Sequence, residues 1–166
     1  MTDTFRNRID LEMTVNGEPI ELTVPAARHL IDLLRTDLGL TGSHAGCEHG
    51  VCGACTVIVD GETVRGCLTL AAQLQGAEIW TVEGLTESGA IADLQKAFVE
   101  RNALQCGFCT PGMLASAKVL IERDAVPSRE GIREHMSGNY CRCTGYEAIV
   151  DAIETTLRGR AGGDAR

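Results

Sequence analysis

Gly46-Cys47-Glu48-His49-Gly50-Val51-Cys52-Gly53-Ala54-Cys55 decides how the rest of this chain is read. Three cysteines spaced C-x4-C-x2-C, followed by a fourth at Cys67, match the pattern by which four thiolates hold a plant-type [2Fe-2S] cluster. A loop that wraps such a cluster brings its backbone close to inorganic sulfide and aims N–H groups at it. That requires small side chains and unusual dihedrals, which Gly46, Gly50, Gly53 and Ala54 supply. His44 and His49 invite comparison with Rieske centres, where two histidines replace two cysteines, but the four cysteines already complete a ligand set. The histidines therefore read as loop residues. Structural zinc stays open as an alternative, although zinc favours two ligand pairs at a finger-like separation.

Outward from the loop, alternating apolar residues mark strands. Ile9, Leu11, Met13 and Val15 alternate up to Asn16-Gly17, and alternation resumes through Ile20, Leu22 and Val24. Asn-Gly between two such runs predicts a β-hairpin with a type I′ turn. Leu30, Leu33 and Leu34 at helical spacing, with Gly39 as a stop, predict a helix from about Ala27 to Leu38. Thr56–Val59 and Thr63-Val64 flank Asp60-Gly61, a second hairpin signal, and Cys67 falls where its return strand leads back toward the loop. Glu78–Val82 supplies one more strand, in which Trp80 reads as core filling. These elements make a small α+β sheet domain over residues 1–84.

After Gly84 the pattern takes a helical period. Ile91, Leu94 and Phe98 mark one helix; Met113, Leu114, Ala117, Leu120 and Ile121 mark another. Pro127-Ser128 opens a third, which carries Ile132 and Met136 and stops at Gly138-Asn139; Ile149, Val150, Ile153 and Leu157 mark a fourth. An all-α, four-helix domain over 85–166 is expected, with a disordered tail from Arg158 onward.

This half holds the other four cysteines, as Cys106-Gly-Phe-Cys109 and Cys141-Arg-Cys143. Thr110-Pro111 after the first pair reads as an N-cap and first helical residue, and Thr144-Gly-Tyr-Glu147 after the second has capping-box spacing. Each pair thus stands at the start of a helix, where unpaired N–H groups and the positive end of the dipole favour an anionic cluster. Two one-electron centres in one chain imply a relay, since most organic oxidations release two electrons. No dinucleotide fingerprint, nucleophile with a base or paired-carboxylate site accompanies them, so no catalytic residue is assigned and substrate chemistry is expected elsewhere.

Composition narrows the partners. The 166 residues are 44% hydrophobic, enough for real cores, and the net charge of −8 argues against nucleic acid, which wants a basic face. The N-terminus lacks the apolar stretch of an export signal and no run reaches the length of a membrane span, so the chain is expected in the cytoplasm without membrane insertion. In that reducing compartment eight cysteines read as metal ligands, not disulfides.

Three segments resemble the iron-sulfur small subunits of molybdenum hydroxylases, relatives of the N-terminal part of xanthine dehydrogenase and aldehyde oxidoreductase. They are Gly42–Val57 (GSHAGCEHGVCGACTV), Leu104–Gly112 (LQCGFCTPG) and Gly138–Tyr146 (GNYCRCTGY), within a likeness running from Ile9 to about Leu157. The resemblance implies a ferredoxin-like β-grasp domain followed by a four-helix domain. It also implies a large subunit carrying molybdopterin, as the cytosine dinucleotide, and a medium subunit carrying FAD, assembled with this chain as a dimer of heterotrimers. Electrons would leave a heteroaromatic, aldehyde or acyl-CoA substrate, less readily carbon monoxide, at molybdenum. They would pass the Cys106/Cys109/Cys141/Cys143 cluster, then the Cys47/Cys52/Cys55/Cys67 cluster, and reach FAD. By the same resemblance Gln105 and Cys143 contact the pterin. Ser43-His44 and Tyr140 depart from the residues common in the family, at the rim of the first loop and beside the second cysteine set. A free-standing two-cluster ferredoxin and a zinc-stapled interaction module are the competing readings.

Overall fold

The computed structural model of the protein describes residues 7–123 and 127–163. Strand β1 (Arg8–Val15) pairs antiparallel with β2 (Glu18–Pro25). The turn between them places Asn16 at φ 54° and Gly17 at φ 85°, as a type I′ hairpin demands. The second hairpin, β3 (Thr56–Val59) with β4 (Glu62–Arg65), repeats the device with Asp60 at φ 49° and Gly61 at φ 83°. Strand β5 (Glu78–Trp80) inserts between the hairpins, parallel to β1 and antiparallel to β3, which closes a five-stranded mixed sheet of order β2-β1-β5-β3-β4.

The expected first helix is shorter than its periodicity suggests. Helix α1 (Leu30–Asp32) continues as one π-helical turn over Leu33–Asp37, closed by Leu38 N–H on the Leu33 carbonyl at 3.0 Å. Residues before Leu30 are held out of the helix by the segment that carries Cys67: Ala71 N–H donates to the Arg28 carbonyl at 2.7 Å and Leu30 N–H to the Thr69 carbonyl at 2.8 Å. Gly39 ends the element at φ 71°. Strand β5 also stops early, at Trp80, and the expected strand residue Val82 instead opens α2 (Val82–Glu87). The break is local and polar: buried Thr81 donates its N–H to Asn16 Oδ1 at 2.8 Å and its hydroxyl to Glu83 Oε2 at 2.6 Å, which turns the chain out of the sheet.

Helices α3 (Ala92–Glu100), α4 (Thr110–Ile121), α5 (Arg129–Met136) and α6 (Glu147–Gly163) follow, so the fold is α+β, with five helices after the sheet among the described residues. Ser128 caps α5 by accepting Gly131 N–H at 3.2 Å. The tail expected to be disordered continues α6 through Gly163; Arg160 holds it to α3 through Asp93 at 2.8 Å, and Arg158 pairs with Glu154 at 2.8 Å. Residues 164–166, the end of that expected tail, lie outside the described residues, as does the export-signal question at residues 1–6.

Strand β3 divides the interior. Its residues alternate faces, and every one is buried. Val57 and Val59 join Leu11, Met13, Leu30, Leu34 and Ile79 in a core between sheet and α1. Ile58 faces the other way, into a core built by Leu94, Phe98, Met113, Ile132, Ile149 and Ile153. Each such side chain removed from water contributes roughly 1.5–3 kcal/mol. Trp80 is only half-buried and packs at the edge of the helical core, its indole N–H donating to Glu78 at 3.1 Å. No described helix is long and apolar enough to cross a membrane.

Candidate metal centres

All eight cysteines are free thiols. The loop from Gly46 to Cys55 is held open by left-handed backbone at Glu48 (φ 57°), Gly50 (φ 83°) and Gly53 (φ 73°). Gly53 is obligatory for a second reason: a Cβ there would meet the Gly138 carbonyl at 2.6 Å, because another loop passes directly over it. Cys67 returns beneath this loop through Gly66 N–H, which donates to the Cys55 carbonyl at 3.1 Å, and Cys55 and Cys67 pack together against Ile31 of α1. The structure therefore brings the first four candidate ligands into one place. Backbone N–H groups aim at sulfur: Cys52 N–H donates to Cys47 Sγ at 3.3 Å. This bond, with one from His49 N–H, holds the Cys47 thiol down at about 6. Burial pushes buried Cys55 the other way, to about 11, so its thiolate needs a cation beside it.

The second four converge at the start of α4. Cys109 is the residue at the helix mouth, buried, its thiol pushed up to about 12 chiefly by that burial. Cys106 and Cys143 are exposed, with their sulfurs 3.5 Å apart, and this contact is the main reason the Cys143 thiol is raised. Burial raises the Cys141 thiol too, but a hydrogen bond from the Thr144 hydroxyl and backbone N–H groups of Cys143 and Thr144 outweigh it, and the net shift is downward. An exposed pair beside one buried and one half-buried cysteine suits a binuclear cluster, in which each iron takes two thiolates. The donor chemistry, the N–H groups on sulfur and the glycine-lined loop fit two [2Fe-2S] clusters.

The expected helix caps are not what ties these cysteines down. Thr110 lies inside α4, with its buried hydroxyl unpartnered, and Cys109 occupies the cap position. Thr144 does not cap α6: its hydroxyl oxygen accepts Tyr146 N–H at 3.3 Å, and Glu147 turns instead to Arg129 and Arg133 at 3.0 and 2.7 Å. Gln105 is exposed and donates its amide to the Cys143 carbonyl at 3.2 Å, so the two residues singled out for the pterin stand together. Both loop histidines face backbone carbonyls through Nδ1, His44 to Phe108 at 2.8 Å and His49 to Cys47.

What the residue pattern did not reveal is the joint between the two centres. Tyr140 N–H donates to the Cys52 carbonyl at 2.8 Å. Buried Asn139 donates to the Gly53 carbonyl at 3.0 Å and Thr56 Oγ1 at 3.2 Å while accepting from Ser116 at 2.9 Å. Arg65 reaches from β4 to the Gly138 carbonyl at 2.6 Å. The His44 ring stacks on Phe108 with centroids 4.6 Å apart and 14° between planes, adding a contact between the two cysteine-bearing loops. The Gly138-Asn139 pair carries a signal only as a helix stop; the amide's partners lie 23 to 86 residues away.

Comparison with known proteins gives two family matches along the chain. A 2Fe-2S iron-sulfur cluster binding domain matches residues 13–81 and a [2Fe-2S] binding domain matches residues 81–154. The chain is 52% identical to the nicotine 6-hydroxylase small subunit of Paenarthrobacter nicotinovorans, over 92% of each chain. It is 51% identical to caffeine dehydrogenase subunit gamma of a Pseudomonas species, over 87% of this chain and 89% of that one. Among solved structures, quinoline 2-oxidoreductase from Pseudomonas putida 86 superposes with a TM-score of 0.86 at 48% identity, covering 95% of this chain and 98% of that one. Aldehyde oxidoreductase from Desulfovibrio gigas superposes at 0.87 and 46% identity, covering 93% of this chain but 17% of that longer one.

Proposed function

Because this chain belongs to the iron-sulfur small subunits of the molybdenum hydroxylases, a component of an oxidoreductase, we propose that it carries electrons between two partner subunits. The observation that carries the reading is the Tyr140 N–H bond to the Cys52 carbonyl, 2.8 Å long, which joins the residue before Cys141 directly to a cysteine of the other set. Cys47, Cys52, Cys55 and Cys67 hold one [2Fe-2S] cluster in a β-grasp domain over 1–84. Cys106, Cys109, Cys141 and Cys143 hold the other, in a helical domain from residue 85 whose framework is α3 to α6. Bound clusters supply one-electron chemistry, so a pair of electrons released at molybdopterin on the large subunit reaches FAD on the medium subunit singly.

The residues of this chain shape that path. Cys55, Cys67 and Cys109 are buried and exclude water from one side of each centre, while Cys106 and Cys143 stay exposed toward a partner. Gln105, fixed by the Cys143 carbonyl, presents its remaining amide groups to the pterin, which we take to be the cytosine dinucleotide. Asn139 and Arg65 hold the two loops at a constant separation. Relatives named for nicotine, caffeine and quinoline favour a heteroaromatic substrate on the large subunit, ahead of an aldehyde or acyl-CoA compound. A cytoplasmic dimer of heterotrimers completes the assignment.

The test uses the complex purified with its partners. It should contain about four irons and four labile sulfides per copy of this chain and give two paramagnetic signals on reduction. Cys109→Ser should remove one signal and stop reduction of FAD by substrate, while an external donor still reduces the flavin. Substrate-driven FAD reduction at the unaltered rate in a Cys109→Ser complex lacking that signal would refute the electron order.

A further inference from the structure

Thr144 follows Cys143 and is half-buried, in the turn that leads into α6. Its hydroxyl oxygen lies 3.1 Å from Cys141 Sγ and 3.3 Å from the backbone nitrogen of Tyr146. A hydroxyl carries one proton. Tyr146 N–H is itself a donor, so the threonine oxygen accepts there and its own proton is left for the sulfur. The backbone of Cys141 is held beside it, because Cys141 N–H donates to the Tyr146 phenol oxygen at 2.9 Å. The turn is closed on itself: Tyr146, in left-handed conformation at φ 69°, fixes both the hydroxyl and the cysteine that the hydroxyl faces. Among the described residues no other side-chain hydroxyl hydrogen-bonds a cysteine sulfur.

Resting on the assignment of Cys141 as an iron ligand, we propose that Thr144 is a positioning residue that raises the reduction potential of the cluster held by Cys106, Cys109, Cys141 and Cys143. The physical reason is charge. An added electron increases the negative charge on the ligand sulfurs, and a fixed O–H donor stabilises the reduced form more than the oxidised one. Its partner pair Cys106 and Cys143 is exposed, where water supplies donors of its own; Cys141 is half-buried, and there the donor is built into the chain. The donor makes this cluster easier to reduce than it would be with the hydroxyl removed.

The experiment compares wild-type, Thr144→Val and Thr144→Ser complexes by redox titration with paramagnetic-resonance detection of both signals. Thr144→Val keeps the shape and loses the donor. One midpoint should move to more negative potential, with on the order of a two- to tenfold fall in reduced-to-oxidised ratio at the wild-type midpoint, the range one net hydrogen bond supplies. The other midpoint should stay in place, and Thr144→Ser should restore the first. An exchangeable proton coupled to the shifted cluster, read by electron–nuclear double resonance in H2O and D2O, should be present in wild type and Ser and absent in Val. Should Thr144→Val fail to retain iron, Thr144→Ala removes the same donor without added bulk and answers the same question. Unchanged midpoints, an upward shift, or a Ser variant that behaves like Val overturns the proposal while leaving the relay intact. A wild-type complex without either signal would instead overturn the relay reading on which it rests.

Discussion

Replacing Gly112 by alanine sets two effects of known size against each other at the joint between the cysteine-bearing loops. Gly112 lies in the first turn of α4 and does not occupy left-handed backbone, so on helix propensity alone Gly112→Ala should stabilise by about 0.8–1 kcal/mol. The new Cβ, however, would sit 2.3 Å from the Gly53 carbonyl oxygen and 3.1 Å from Asn139 Nδ2. An oxygen at that distance must retreat by about 1 Å, and it belongs to backbone that also receives the Asn139 amide at 3.0 Å. Overpacking of this kind costs about 1–3 kcal/mol, and weakening the amide bond adds roughly 0.5–1.5 kcal/mol. The clash wins, for a net loss of about 2 kcal/mol. In a chain of this length that lowers Tm by about 4–8 °C. Gly159, in α6, has nothing within 4 Å of its added Cβ, so Gly159→Ala shows the propensity effect by itself and should raise Tm by a few degrees. Thermal unfolding followed by helical circular dichroism and by loss of the cluster chromophore measures both. A Gly112→Ala protein as stable as wild type, or one that shifts in the same direction as Gly159→Ala, would refute the packing argument.

Two further outcomes follow from the same geometry. Asn139→Ala should cost about 3 kcal/mol, since it removes three hydrogen bonds at a buried position and takes away the acceptor of the Ser116 hydroxyl; Asn139→Asp, with acceptors in place of donors, should not recover it, and chemical denaturation of the two variants checks this. The Arg160 guanidinium, bonded to Asp93, holds that carboxyl below the ordinary carboxylate value, so their pairing stabilises α6 above the unfolded value near pH 4 and the contribution disappears as pH falls through the folded value. Because the pair is about half exposed, its worth is at most about 1 kcal/mol. The stability gap between wild type and Asp93→Asn should be present at pH 6 and closed near pH 2; a gap that persists in acid would show that charge is not its origin.

Local chemistry was readable and remote partners were not. Asn16-Gly17 and Asp60-Gly61 announce their hairpins because a type I′ turn needs positive φ at both central residues, a demand met within the dipeptide itself. The cysteine spacings were readable for a similar reason, since a cluster imposes distances on residues close in the chain. Side-chain hydroxyls misled. Thr110 and Thr144 both have the spacing of helix caps, yet a cap is a weak local bond, and Thr144 found a better acceptor in Cys141 and a donor in Tyr146. Helix α1 begins three residues later than its leucines suggest, because Ala71 and Leu30 N–H bonds tie the preceding segment to the Cys67 strap. Arg158 to Gly163 lack apolar spacing but remain helical, supported by the i,i+4 pair of Arg158 with Glu154 and by the bond of Arg160 to Asp93, a partner 67 residues away that sequence proximity could not supply.

The relation between the two centres comes down to the parity of one strand. Cys55 is followed immediately by Thr56, the first residue of β3, so the loop's last cysteine hands directly to a strand whose successive side chains point to opposite faces. Thr56 and Ile58 face the helices, where Thr56 meets Asn139 and Ile58 enters the helical core, while Val57 and Val59 face α1 and the sheet core. Both faces are specified, because each buries apolar or hydrogen-bonded groups that the opposite face cannot accommodate. A slip of one residue would send Val57 against the Asn139 amide and Thr56 into the sheet core, leaving polar groups unpaired on both sides. Register in β3 thereby fixes where Cys55 ends the first loop relative to the Gly53 carbonyl that Asn139 grips, two residues before Cys141. Strand pairing, with β4 and β5 on either side, thus sets one half of the joint, and the hydrogen bonds of Asn139 and Tyr140 to the first loop set the other.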